Sequence, residues 1–150
     1  MGFISYQYNF RGSIGNVDFD QIKEDLELFT EWEDRYGYII DLGKRISLPD
    51  EKKTDENKVN GCASQVWLDM SWQEPNNTKV FNIAGDSDAI IVKGLIAILL
   101  SLYQGKTLVQ TKEIDPRAEF EKLGLNSHLS SQRSNGLKSM IDQIKIFVNT

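Results

Sequence analysis

"QVWLDMSWQEPNNTKVFNIAG", residues 65–85, is an alternating stretch, a polar break, and a second extended stretch. Val66, Leu68, Met70 and Trp72 fall on one side of an extended chain, with Trp67, Asp69 and Ser71 on the other. That period of two marks a half-buried strand. Residues 74–79, "EPNNTK", are turn chemistry, because Pro fixes φ and Asn tolerates the left-handed region. "VFNIAG" then reads as the return strand. Two antiparallel strands alone are marginal in water, so a third strand or a helical cover is required. The run "AIIVKGLIAILLSLY" (89–103) supplies that cover as a buried core helix from about Asp88 to Gln104.

Working outward, the flanks are helical. Asp18 can cap a helix that places Phe19, Ile22, Leu26 and Phe29 on one face. "WEDRYGYIIDLGKRI" (32–46) continues helically, with Gly43 near its stop, and Glu33, Arg35 and Tyr36 form a mostly structural face. "SLPDEKKTDENKVNG" (47–61) is a long polar surface loop, a kind that tends to be functional or mobile. Pro116 suits the first turn of "PRAEFEKLG", closed by Gly124. A last helix runs from about Ser134, with Leu137, Met140, Ile141, Ile144 and Val148 on one stripe. Helices, then strands, then helices indicate an α+β class. No internal repeat is visible, and residues 18–150 read as one domain. Residues 1–17 read as a leader that is either loose or paired to a sheet edge, since Ile4, Tyr6, Tyr8 and Phe10 alternate before Gly12 and Gly15.

The chain has 150 residues, a formal charge of -5 and a single cysteine. A chain of this size can bury one real core. The acidic balance, without a Lys/Arg cluster, argues against a nucleic-acid partner. The apolar run at 89–103 carries Lys93 and falls short of the ~20 residues that a membrane span needs. The N-terminus shows no export signal, so the expected location is cytoplasmic. One cysteine precludes an internal disulfide, and with His128 as the sole histidine a Cys/His zinc site is out of reach.

That cysteine, Cys62, lies on a Gly-Cys-Ala corner between the polar loop and the first strand. Gly61 permits unusual φ values and close backbone approach, and Ala63 and Ser64 keep the tip slim. A thiol in such a place can be a small buried hydrophobe or a presented nucleophile. A cluster scaffold needs several thiolates around iron, which one cysteine cannot supply. A cysteine hydrolase would need His128 as base. His128 precedes the last helix, where a structural hydrogen bond is the better reading.

Four blocks, "WEDRYGYIIDLGKR" (32–45), "VNGCASQVWL" (59–68), "GDSDAIIVKGLIAILLSLYQG" (85–105) and "FEKLGLNSHLSSQRSNGLKSMIDQI" (120–144), follow one another at characteristic spacing. Together they resemble the SufE family and its CsdE relatives, sulfur acceptors of iron–sulfur cluster assembly, over about residues 18–148. The chain departs from the family pattern at Ser131, where relatives often have proline. Ser130 or Ser131 can cap the helix there instead.

The resemblance implies a fold like that of the IscU scaffolds, with an antiparallel sheet of about three strands packed with helices. It further implies a carrier without independent turnover. Such a protein takes sulfane sulfur from a SufS/CsdA-like cysteine desulfurase onto Cys62 as a persulfide, stimulates that desulfurase, and delivers sulfur to a SufB-like scaffold. Pyridoxal phosphate belongs to the desulfurase, and no cofactor or metal is expected on the carrier. Gly61, Ser64, Asp88, His128 and Arg133 are the candidates for supporting the cysteine loop or binding the partner. Asp88 reads first as the N-cap of the apolar helix. Arg133 sits in the first turn of the last helix, where a cation opposes the helix dipole, so an acidic partner surface or a carbonyl of the Cys62 loop is expected to hold it. The thiol is expected against an apolar wall formed by Val66, Leu68 and the helix at 90–103. The alternative is a regulator that binds the desulfurase without carrying sulfur.

Overall fold

The computed structural model describes residues 18–150. The reading of residues 1–17 as a leader lies outside them. Six helices and one hairpin follow in the order α1 (Phe19–Glu27), α2 (Trp32–Gly43), β1 (Val66–Gln73), β2 (Val80–Ser87), α3 (Ile90–Tyr103), α4 (Leu108–Glu113), α5 (Pro116–Lys122) and α6 (Ser131–Val148). The fold is α+β.

The hairpin follows from its alternation. β1 and β2 pair antiparallel from Val66↔Ser87 to Gln73↔Val80, and Asn77 takes the left-handed conformation in the turn (φ 63°). Val66, Leu68, Phe81 and Ile83 are buried. The sheet has two strands rather than three among the described residues. Each edge carries a single bridge, Lys58↔Trp67 and Val80↔Thr107. At the β1 edge, Val59 N–H donates to Val66 O (2.9 Å) and Leu68 N–H to Asn57 O (2.8 Å). The chain turns at both ends of this short piece, so it never lengthens into a strand. At the β2 edge the Gln104 side chain replaces a neighbour, its Oε1 accepting from Ile83 N at 2.8 Å. Beyond it, Thr107 leaves the sheet to open α4 through a capping box with Gln110. Helix capping therefore wins over strand addition.

α3 lies at the centre, and its residues 94–103 are all buried. A helix apolar all round belongs inside a core, and α1, α2 and β2 pack on it. The crossing with α2 is backbone on backbone. A Cβ at Gly43 would stand 2.6 Å from Gly94 N, and one at Gly94 would overlap the Ile39 carbonyl. Gly43 thus serves this close approach as well as marking the helix end.

Helix boundaries follow local chemistry. Asp18 caps α1 by accepting from Gln21 N at 2.8 Å. A break at 28–31 separates α1 from α2. Asp115 caps α5 ahead of Pro116, and Gly124 follows its end with φ +72°. α6 begins at Ser131, three residues earlier than the apolar stripe suggests. Ser130 caps it, accepting from Arg133 N at 3.2 Å. Leu137, Met140, Ile141, Ile144 and Val148 are all buried. No helix among the described residues is long and apolar enough to cross a membrane.

Candidate functional site around Cys62

The corner that carries Cys62 is pinned on both sides. On its N-terminal side Gly61 has φ +93°, a conformation only glycine adopts freely, and a Cβ there would approach Ser139 Oγ of α6 to 2.5 Å. On its C-terminal side Asp88 Oδ1 accepts from Gln65 N (3.0 Å), and Asp88 N–H donates to Gln65 O (3.3 Å). Asp88 is therefore not the cap of α3. The N-cap position is Ala89, which makes no side-chain cap, and the Asp88 carboxylate is committed to the cysteine loop. Ser87 Oγ accepts from Ala89 N at 3.1 Å.

Between these pins, the half-buried Cys62 thiol points toward α6 and donates to the Gly136 carbonyl oxygen at 3.6 Å. Beside it lies a cavity of about 170 Å³, half open to solvent. Ser64 belongs to its lining, as do Ile91, Val92 and Leu95 of α3, and Arg133, Leu137 and Met140 of α6. The apolar wall thus comes from two helices. α3 contributes as expected, but Val66 and Leu68 are turned into the core and α6 takes their place. Position 136 also faces the sulfur, and a Cβ added there would meet Sγ at 3.6 Å. Burial pushes the Cys62 thiol above its ordinary range, since an apolar wall disfavours the thiolate.

Arg133 lines this cavity, and within the chain the group that holds it is a side chain of α2 rather than a carbonyl near the Cys62 loop. Its Nη1 donates to the Tyr36 hydroxyl, and its guanidinium lies 5.8 Å from the centre of the Tyr36 ring. Tyr36 packs on Trp32 (5.9 Å). His128 stacks on the other aromatic neighbour of that helix turn, with 3.9 Å between the His128 and Trp32 ring centres and 19° between their planes. His128 is thus part of a ring stack and does not line the Cys62 cavity. The structure brings Gly61, Cys62, Ser64, Asp88 and Arg133 to one locus and leaves His128 behind Trp32 and Tyr36.

Sequence reasoning missed Asp86. It is 4% exposed and receives Leu48 N (3.1 Å) and Ser87 N (2.8 Å). Lys93 and Lys53 approach it at 3.2 and 3.4 Å. Burial works against its ionisation, but the backbone donors of Leu48 and Ser87 and the Lys93 ammonium outweigh it and hold the carboxyl below the usual range. Asp86 so ties the start of the 47–61 loop and the first turn of α3 to the end of β2. Lys53 also lies over the Trp67 ring at 5.5 Å. The signal in the sequence is the single charged residue of the second strand, next to its last position. Among the described residues, no group of three or more His, Cys, Asp or Glu side chains comes together to hold a metal.

Residues 20–148 match the SufE family, described as an Fe-S metabolism associated domain. An uncharacterized SufE-like protein of Rhizobium etli is 49% identical over 127 residues, covering 84% of this chain and 86% of its own length. Another from Rhizobium meliloti is also 49% identical over 127 residues, covering 84% of this chain and 91% of the relative. The match spans the cysteine corner, both cavity helices and the Asp86 cluster: the chain belongs to the SufE family, and its domain is one of iron–sulfur metabolism.

Proposed function

We propose that the protein is a sulfur carrier, accepting sulfane sulfur on Cys62 from a SufS/CsdA-like cysteine desulfurase and passing it to a SufB-like scaffold. The observation that carries this reading is the only thiol of the chain, on a corner pinned at Gly61 and Gln65 beside a half-open cavity. The Cys62 thiolate attacks the outer sulfur of the donor's persulfide. A sulfur–sulfur bond forms at Cys62 as the donor's own sulfur–sulfur bond breaks, and the donor leaves as a thiolate that takes up the proton Cys62 released. One sulfur atom moves and no external oxidant is consumed. Pyridoxal phosphate stays on the desulfurase, and the carrier contributes only its thiol and the loop that presents it.

The cavity supports the waiting step. A thiol pushed above its ordinary range by burial is less often ionised, which slows its reaction with stray oxidants in the free protein. Displacement of the corner by a partner exposes the sulfur. The absence of disulfide chemistry suits a reducing compartment such as the cytoplasm.

The test is mass spectrometry after incubation with a cysteine desulfurase, pyridoxal phosphate and cysteine. Wild type is expected to gain about 32 Da, one persulfide sulfur, that a reductant removes. Cys62→Ser is expected to gain nothing while keeping its fold, since the substitution is nearly isosteric. If wild type gains no sulfur and Cys62→Ser stimulates the desulfurase equally well, the protein is a regulator and the carrier reading fails.

A further inference from the structure

We propose that Tyr36 is a positioning residue that holds the Arg133 guanidinium at the Cys62 cavity, so that the sulfur there meets a positive charge. The inference rests on the sulfur-carrier reading for its purpose, but its geometry and its test stand apart from it.

Arg133 occupies an unfavourable place for a cation, the first turn of α6, where the helix presents the positive end of its dipole. Among the described residues no carboxylate forms an ion pair with it. Among the described residues its guanidinium engages one residue in two ways, through the hydroxyl and the ring of Tyr36. A planar guanidinium can engage a phenol in both ways at once, and an ammonium cannot reproduce the pair. Tyr36 is steadied by Trp32, one helical turn earlier, and Trp32 by His128. The stack from His128 to Tyr36 is therefore a bracket whose far end is the Arg133 head group.

The bracket ends where the chemistry lies. Arg133 and Cys62 line the same half-open cavity, and the carbonyl of Gly136, one turn beyond Arg133 on α6, accepts the hydrogen bond that the thiol donates. In a partly dehydrated site a unit charge acts over several ångströms. The apolar wall disfavours anionic sulfur, and the guanidinium opposes that wall without filling the cavity. A sulfane sulfur newly arrived on Cys62 carries its negative charge on the terminal atom, further out along the cavity. That atom gains more from a cation at the rim than the thiol does. The tyrosine hydroxyl thus acts on sulfur chemistry through Arg133, and His128 contributes only by supporting the stack.

The experiment compares alkylation of Cys62 by iodoacetate, an anion, with alkylation by neutral iodoacetamide of similar size. The full-length protein is used, without any partner. Access and loop opening affect both reagents alike, so the ratio of their rates reports local charge. Tyr36→Phe keeps the ring and removes only the hydroxyl. It is expected to lower the iodoacetate-to-iodoacetamide ratio roughly threefold, as is Arg133→Gln, for a charge acting through partly screened surroundings. The double variant should fall no further than Arg133→Gln alone. Added salt should shrink the wild-type ratio toward that of the variants. Thermal melting confirms that each variant is folded, and Tyr36→Phe with Arg133→Lys provides a second pair if Arg133→Gln melts early. An unchanged ratio in Tyr36→Phe, or additive losses in the double variant, overturns the proposal. Neither result depends on whether Cys62 carries sulfur.

Discussion

Replacing Asp86 by alanine tests whether a buried carboxylate organises the approach to the cysteine corner. The substitution leaves two backbone donors, Leu48 N–H and Ser87 N–H, without their acceptor. Each buried donor so stranded costs about 1–3 kcal/mol. The two lysines add less. Their side chains are 29% and 25% exposed and can turn toward water, so the ion pairs are partly screened. The expected loss is about 3–5 kcal/mol, out of a total stability on the order of 5–15 kcal/mol for such a domain. Asp86→Asn, which keeps one acceptor oxygen but no charge, should lose less. Urea unfolding followed by tryptophan fluorescence measures both. The sign with pH is fixed by the direction of the shift. A carboxyl held below its ordinary value stabilises the fold above the unfolded value of about 3.9, and that stabilisation fades as pH falls through the lower, folded value. The gap between wild type and Asp86→Ala should thus be level from neutrality to about pH 4 and narrow in stronger acid. A loss under about 1 kcal/mol at pH 7, or a gap that widens on acidification, would refute the reasoning.

Two other outcomes follow from the same geometry. Asp88→Ala removes the acceptor of Gln65 N–H, so Cys62 should alkylate faster than in wild type. Its pH–rate profile should also shift downward, because the opened corner relieves the burial that raises the thiol. The stability cost should stay near 1 kcal/mol, as Asp88 is exposed. Gly94→Ala forces a methyl group against the Ile39 carbonyl where α2 crosses α3. It should cost at least the 1–3 kcal/mol of ordinary overpacking, despite alanine's better helix propensity, and thermal melting will show it.

What the sequence disclosed was whatever depends on near neighbours. Period two located β1, the polar turn after it located β2 as the return strand, and the long apolar run located α3. Asp18, Pro116 and Gly124 marked helix ends by capping chemistry that acts over three or four residues. The "TLVQ" capping box of α4 (107–110) was equally local and went unread. The helical cover was legible in the apolar run, whereas the sheet of about three strands that the family resemblance implied has two among the described residues, with the Gln104 side chain at the β2 edge. The site divided along the same line. Cys62 stood out because one thiol on a glycine corner is a local oddity. Asp86 did not, because its meaning depends on Leu48, Lys53 and Lys93 arriving from elsewhere. Arg133 looked out of place against its helix dipole, but its partner is 97 positions away in the chain. Asp88 reads first as the cap of the helix beside it and second as a support of the cysteine loop, and its carboxylate takes the second role by bonding to Gln65, 23 residues earlier.

Gly136 carries a different kind of consequence. It is an interior residue of the 18-residue α6, where glycine costs about 1 kcal/mol relative to alanine. Nothing steric compels that cost, because a methyl carbon there would rest 3.6 Å from Cys62 Sγ, at ordinary contact distance. The helix is therefore less stable than it need be, and the difference maintains an unoccupied volume the size of one atom beside the sulfur. At this position the folding equilibrium and the room around the thiol are set by the same missing carbon, and neither can be improved without loss to the other.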